Sequence, residues 1–312
     1  MNVAMNDTTC CPSCGEPGKP ILEIPEVFNG HRFSLHACDS CELIYTYPFP
    51  SDALLRDIYS GEYWTREKTT QKQGAIGGLV NWFNEIRLAA TVKPLLQRLP
   101  SGASILEVGC GSGQLAKYLK RKGYGVEVTD ISREILEEIR ASSGILGYCG
   151  SLEEISFPHQ YNGIIFNNVL EHLPNPLSAL EKANHLLTAQ GLIFIEVPNI
   201  AGLQFRLLRE SWYHLAIPAH LFHFSLQSLQ KLAQEASLDI TWHSTFSIRT
   251  SAAGYVASIF PALQPTKLRQ HWSKFRLLSY LFLQMSFLPL AFGEAVAGKG
   301  AVIRALCRRK PQ

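Results

Sequence analysis

The stretch Ile105-Leu-Glu-Val-Gly-Cys-Gly-Ser-Gly-Gln-Leu115 constrains the fold more than any other part of this 312-residue chain. A short apolar run ends in an acid, glycines follow at alternate positions, and a helical pattern begins at once. Such a pattern predicts a buried strand that enters a tight turn and opens a helix. Gly109, Gly111 and Gly113 permit positive φ and carry no Cβ to hold a ligand off the backbone, so an adenosine-containing ligand would lie on this turn. The G-x-G-x-G spacing makes a tighter turn than the G-x-G-x-x-G of dinucleotide-binding folds.

The context strengthens the reading. A helix is predicted over Gln114–Lys122, and Gly125-Val-Glu-Val-Thr-Asp130 then reads as a second strand whose terminal carboxylate can accept both hydroxyl protons of a ribose. Strands and helices alternate from Ser104 to Val197, which predicts a parallel sheet covered on both faces. Four pieces occur in order: Glu107–Gly113, Asp130, the strand and loop Tyr161–Leu173, and the strand Gly191–Pro198. Together they resemble the class I S-adenosylmethionine-dependent methyltransferases. The resemblance implies an α/β, Rossmann-like fold with a seven-stranded sheet. It also implies that Glu107, Gly109, Gly111 and Gly113 hold the methionine part of the cofactor and that Asp130 holds the ribose. Ser151, Leu152 and Asn167 would complete the cofactor site. Ser151 stands where the family often has an Asp for the adenine amino group; its hydroxyl can still accept a hydrogen bond.

Five of the eight cysteines precede residue 42, as Cys10-Cys11-Pro-Ser-Cys14-Gly and Cys38-Asp-Ser-Cys41. Two C-x-x-C knuckles supply four thiolates for tetrahedral zinc, with Cys11, Cys14, Cys38 and Cys41 as the natural set and Cys10 as a spare that could replace Cys11. A closed four-ligand site is structural. Cys110, Cys149 and Cys307 are read as packed thiols. The chain divides into a zinc-ribbon-like module over 1–50 and a methyltransferase domain over 51–312, joined through Tyr47-Pro-Phe-Pro-Ser51. Tyr59, Tyr63 and Trp64 follow the join. Module, linker and aromatics resemble methyltransferases of bacterial sugar and cell-envelope biosynthesis.

Helices are predicted over Gly77–Leu99, Leu177–Leu187, Leu203–Arg209 and Leu226–Glu235, a sixth strand within Asp239–Ile248 and a seventh over Gly300–Cys307. Between the last two strands lies a helical insertion, 250–298, where this fold usually has a short hairpin. It carries Lys267, Arg269, Lys274 and Arg276 among Leu268, Trp272, Phe275 and Phe282, and no charge from Leu277 to Gly293. A basic amphipathic segment leading into an apolar run suits peripheral membrane contact through 265–293, a lid over a greasy substrate, or a buried cap or dimer contact. With Pro289 inside it, a membrane-crossing helix is the less favoured reading.

The net charge of +3, without a basic tract, does not favour a nucleic-acid partner. The polar start Met1–Thr9 has no signal-peptide pattern, so the expected location is cytoplasmic, at most peripheral to the inner face of the membrane. Methyl transfer needs an aligned acceptor and a base for its proton. His172, directly after the fourth strand, is the first candidate; His220 and His223, after the fifth, are the second. Some similar methyltransferases instead bind a divalent ion through E-x-x-E-H, but here Asn168 replaces the first acid. The expected function is methylation, mainly on oxygen, of a small-molecule or lipid-linked glycan acceptor. The alternatives are an RNA methyltransferase gripping RNA with its zinc module, or a cofactor-binding scaffold without catalysis.

Overall fold

The computed structural model describes residues 10–28, 30–51, 53–55, 58, 75–248, 250–265, 268 and 273–310. Tyr59, Tyr63, Trp64, Lys267, Arg269 and Trp272 lie outside the described residues.

The predicted seven-stranded sheet is present. Its strands are β4 (Ser104–Val108), β5 (Gly125–Asp130), β6 (Leu146–Cys149), β7 (Tyr161–Asn167), β8 (Leu187–Pro198), β10 (Leu238–Ser244) and β11 (Val302–Arg309), in the order β10-β11-β8-β7-β4-β5-β6. β11 runs antiparallel to both of its neighbours, and β4 to β8 run parallel. Strands β4 and β7 are neighbours although β5 and β6 lie between them in the chain, so the strand order reverses there. A ligand crevice forms at the carboxyl ends of such strands.

The helices follow from local chemistry. α1 (Ala75–Leu96) leads into β4, and α2 (Gln114–Arg121) starts from Gly113 in the left-handed conformation. α3 (Arg133–Ser143) is capped by Ser132, which accepts from the Ile135 amide, and is closed by left-handed Gly144. α4 (Pro176–Leu186) has Asn175 as its cap and Pro176 in its first turn, where the missing N–H costs nothing. Next come α5 (Leu203–Leu208) and α6 (Leu226–Glu235), the latter with a reciprocal cap between Ser225 and Ser228. The insertion holds α7 (Ser251–Ile259) and α8 (Lys274–Val296). Pro289 does not break α8. It lies on the exposed side of the helix near its C-terminal end, where water can take the carbonyl its ring leaves unbonded.

A second sheet is built from β1 (Gly18–Phe28), β2 (His31–Cys38), β3 (Ile44–Tyr47) and β9 (Phe222–His223), in that order. Its fourth strand thus comes from the methyltransferase part, where two residues pair antiparallel with β3. The cores merge as well. Cys11, Cys38, Cys41, Leu43 and Tyr45 belong to the same buried cluster as Ile164, Phe166, Leu180 and Ile195. Lys231 of α6 reaches Glu42 at 2.6 Å, tying the outer edge of the module to the main sheet's helical layer. Two cysteines read as packed, Cys110 and Cys307, are buried; Cys149 is exposed, because β6 is the edge strand and its end faces solvent.

Because the two parts share one core, disturbing the cysteine cluster should destabilise the whole chain. Cys38→Ser is expected to lower the melting temperature in a single transition, by about 5 °C or more. Differential scanning calorimetry checks this; a separate low-temperature transition beside an unmoved main one would contradict it.

Candidate functional site

The glycine turn is locked to the end of β5. The Gly111 amide donates to Asp130 Oδ2 at 2.9 Å and the Ser132 amide to Oδ1 at 3.0 Å. Burial pushes the Asp130 carboxyl upward, and these amides oppose the shift. A carboxylate accepts about four hydrogen bonds, so two amides leave capacity for ribose hydroxyls. The three glycines have φ of 61°, 50° and 67°, and a Cβ on each would meet a different fate. On Gly109 it would strike Val169 at 2.9 Å, and on Gly113 it would strike Ile139 at 2.6 Å. On Gly111 it would meet nothing within 4 Å, so this residue lines an open cradle. Glu107 is buried at the end of β4, and Leu152 is buried beyond β6 with Ser151 half-buried beside it. Ile131 follows Asp130 with 62 % of its surface exposed, an apolar face that a planar base would cover. The sequence reading passed over Ile131; an apolar residue directly after the ribose acid was the available signal. Asn167 closes β7, and its Oδ1 accepts from Asn168 Nδ2 at 3.2 Å.

The segment after β7 starts at Val169, beside Gly109, makes one 3-10 turn, Leu170–His172, and places Glu171 and His172 against His220. The His172 and His220 rings meet edge to face with centroids 4.6 Å apart. Nδ1 of His172 donates to the Ala219 carbonyl at 2.9 Å, and Nδ1 of His220 donates to the His214 carbonyl at 2.9 Å. A carbonyl only accepts, so in both neutral rings Nε2 is the basic nitrogen. Glu171 is 1 % exposed, and neither carboxyl oxygen has a hydrogen-bond partner among the described residues. Ligand atoms of Glu171, His172 and His220 all lie within 4.8 Å of one another. Asn168, at the position of the acid in the metal-binding pattern, turns to Asn167 and is outside this group.

Desolvation sets the charge states. It pushes the Glu171 carboxyl up to about 8 and the His172 imidazole down to about 4. The same cause lowers His214 to about 4 and His223 to about 3, and holds His220 well below the usual histidine range, with its histidine neighbours adding to the effect. His223 stands apart from the pair: its ring is 6.3 Å from that of His220, and its Nε2 lies 3.3 Å from Thr46 Oγ1. Thr46 belongs to β3, and its hydroxyl donates to the His220 carbonyl at 2.6 Å. Its amide donates to the Leu221 carbonyl at 3.0 Å, and the Leu221 amide donates to the Glu171 carbonyl at 2.8 Å. The N-terminal module therefore holds the loop that carries His220, a relation no motif announces.

The four predicted metal-ligand cysteines come together. Cys11 and Cys41 sulfurs are 3.6 Å apart, Cys14 and Cys38 sulfurs 3.5 Å, and all four lie within 4.8 Å of one another. Tetrahedral zinc thiolate sites require sulfur separations of about 3.8 Å. Cys10 is exposed and outside the group.

Residues 83–242, just over half of the chain, match the family described as a methyltransferase domain. The chain belongs to that family. Among curated relatives, this methyltransferase domain is 33 % identical over 111 residues to the ubiquinone biosynthesis O-methyltransferase of Xylella fastidiosa, covering 33 % of this chain and 45 % of that protein. It is 33 % identical over 105 residues to the enzyme of the same name from Vibrio cholerae, covering 31 % and 43 %. The match spans less than half the length of these relatives. Among solved structures, 1,6-didemethyltoxoflavin-N1-methyltransferase from Burkholderia thailandensis aligns over 93 % of this chain and all of its own, at 12 % identity and a TM-score of 0.50. A protein described as a sarcosine dimethylglycine methyltransferase from Galdieria sulphuraria aligns over 83 % of this chain and 99 % of its own, at 19 % identity and the same TM-score. The shared fold is the Rossmann-like methyltransferase sheet.

The neutral histidines predict a pH dependence. Their folded values lie below the unfolded 6.5, so their contribution is present above pH 6.5 and is lost as the pH falls. Glu171 works the other way, because its folded value is raised above the unfolded 4.5. Near pH 5.5, four imidazoles against one carboxyl leave unfolding with a net uptake of roughly three protons. Urea midpoints should fall steeply from pH 7 to pH 5, and less steeply in His223→Asn. A flat profile would contradict these charge states.

Proposed function

We propose that this chain is an S-adenosylmethionine-dependent methyltransferase that methylates a hydroxyl oxygen of a small-molecule or lipid-linked acceptor. The observations that carry the reading are the open cradle at Gly111 beside Asp130 and the Glu171–His172–His220 group, whose loop begins at Val169, the residue that packs on Gly109. The residues fit the cofactor. Glu107 and the glycine turn would hold its methionine part, Asp130 its ribose, and Ile131, Ser151, Leu152 and Asn167 its adenine side. Bound there, S-adenosylmethionine supplies an electrophilic methyl group. The chain's own part is to bind, to exclude water and to take a proton. Nε2 of His172 accepts the acceptor's hydroxyl proton as the oxygen attacks, and the resulting imidazolium is stabilised by Glu171 in its ionised form, whose own proton has left to solvent before the step. The lowered values keep the imidazoles unprotonated at neutral pH but weaken them as bases, and the Glu171 carboxylate, acting where water is excluded, offsets that weakening.

Oxygen as the methylated atom is supported by the curated relatives, which are named as O-methyltransferases. The sequence reading favours a glycan-type acceptor, whereas these relatives act in ubiquinone biosynthesis. Both chemistries present a hydroxyl, and the buried, neutral group here suits an acceptor with an apolar body. The cysteine group would hold structural zinc, one per chain. With its four thiolates taken by the ion, it leaves no position for chemistry. The protein would work in the cytoplasm.

Titration calorimetry with S-adenosylmethionine tests the cofactor assignment. Wild type should bind, Asp130→Ala should bind at least about tenfold more weakly, and Gly111→Ala should lose binding through left-handed strain and a filled cradle. Equal affinities, or none in wild type, would overturn the reading. Transfer of labelled methyl to a panel of catechols, sugar nucleotides and lipid-linked sugars identifies the acceptor. With it, Glu171→Gln should lower kcat about a hundredfold and leave cofactor affinity unchanged. Wild-type turnover in both Glu171→Gln and His172→Ala would remove them from the chemistry.

A further inference from the structure

α8 is about 35 Å long, and it is built inside out. Phe275, Leu278, Phe282, Met285, Phe292 and Val296 recur at helical spacing, with exposed Pro289 completing the row, and those six are 58–80 % exposed. Solvent-facing apolar residues are ordinary when scattered; a row running the length of a helix marks an interaction surface. Among the described residues, Phe275–Val296 is the one helix long and apolar enough to cross a bilayer. Its other side, however, is fastened to the protein. Tyr255 of α7 donates to the buried Glu294 carboxyl, the Tyr255 and Phe287 rings stack with centroids 5.2 Å apart, and Thr245 Oγ1 donates to the Ala295 carbonyl at 3.2 Å. A helix pinned over its C-terminal part, with an ionisable group on the pinned side, can lie in a membrane surface but cannot pass through one without detaching.

Charge selects the occupant. Between Pro265 and Gly293 the sequence has Lys267, Arg269, Lys274 and Arg276 and no acid. A second copy would bring the same four cations and no acid of its own in this segment, whereas an anionic bilayer brings the complementary charge. Apolar burial and attraction to anionic headgroups are the two terms of interfacial binding, and α8 with its approach segment offers both. The helix is also linked to the candidate site through one packed element. α7 lies between α8 and the loop of His214: Ser258 Oγ accepts from the Tyr213 amide at 2.9 Å, and a Cβ on Gly254 would lie 2.9 Å from the His214 ring.

We propose that the exposed row of α8 is an in-plane docking surface for an anionic phospholipid membrane, which brings the acceptor crevice to the bilayer surface. The delivery of a lipid-linked acceptor rests on the proposed methyltransferase reading; the docking does not. The test is flotation of the full chain with phosphatidylcholine vesicles, with and without about a third phosphatidylglycerol, at low and high salt. A triple variant, Phe275→Ser, Phe282→Ser and Met285→Ser, is run beside wild type; all three positions are exposed, so the fold should tolerate it. Calorimetry with S-adenosylmethionine on both proteins reports separately on the site, so a failed cofactor assignment and a failed docking assignment look different. Wild type should float with anionic vesicles, less at high salt and little with neutral ones. The triple variant should partition at least about tenfold more weakly, and alkaline carbonate should release the wild type. Three outcomes would overturn the proposal: no flotation with anionic vesicles, resistance to carbonate extraction, or a concentration-dependent dimer in sedimentation velocity that the triple variant abolishes without any vesicle binding.

Discussion

The contact on which the rest of this structure depends is the pairing of β3 with Leu221–His223. Thr46 sits at its centre and is fully buried. Its hydroxyl bonds to the His220 carbonyl and approaches His223, while its amide bonds to the Leu221 carbonyl. On the opposite side the Leu221 amide holds the Glu171 carbonyl, and the Phe224 carbonyl accepts from the Ile200 amide at 2.9 Å. A loop with no regular structure of its own is thereby tied on three sides. Without such ties its buried backbone groups would be left unpaired, at roughly 1–3 kcal/mol each. The cysteine group flanks the fourth strand's partner, since β2 ends at Cys38 and β3 begins three residues after Cys41.

Seen this way, the small sheet is a wall of the site. It pairs with the strand of His223 beside His220, where burial raises the Glu171 carboxyl and lowers the imidazoles of His172, His220 and His223. Burial of four imidazoles in neutral form and one carboxyl in protonated form is costly relative to leaving them in water, and a fold carries such a cost where the groups are used. The cofactor side is organised differently. There the polar groups are backbone amides and a partly solvated carboxylate, and the fit comes from absent side-chain atoms at Gly109, Gly111 and Gly113.

The sheet and its glycine turn were legible because their signals are local: apolar runs of strand length, an acid at each of two strand ends, and glycines where φ must be positive. The predicted ends of α1, α2, α4, α5 and α6 lie within about three residues of those observed, whereas α3, capped by Ser132 and ended by Gly144, was given no bounds. The two C-x-x-C knuckles were legible for the same reason. What was not legible depends on contacts far apart in the chain. A two-residue strand at Phe222–His223 has no periodicity to read, so the sequence offered His223 as a candidate base without its proximity to Thr46. Glu171 was not among the candidate residues, because nothing local shows that both its oxygens are buried. In α8, spacing identified an amphipathic helix, but only packing against α7 shows that the apolar row at Phe275, Phe282 and Phe292 faces outward.

The central claim is that the N-terminal module positions the His220 loop, and amide hydrogen exchange on Thr46→Val tests it most directly. Valine matches threonine in shape and puts a methyl group in place of the hydroxyl. The account predicts faster exchange across Ala219–Phe224 and at the Leu170–His172 turn, with β4, β5 and β7 unchanged. Faster exchange confined to Ile44–Tyr47, or none at all, would contradict it.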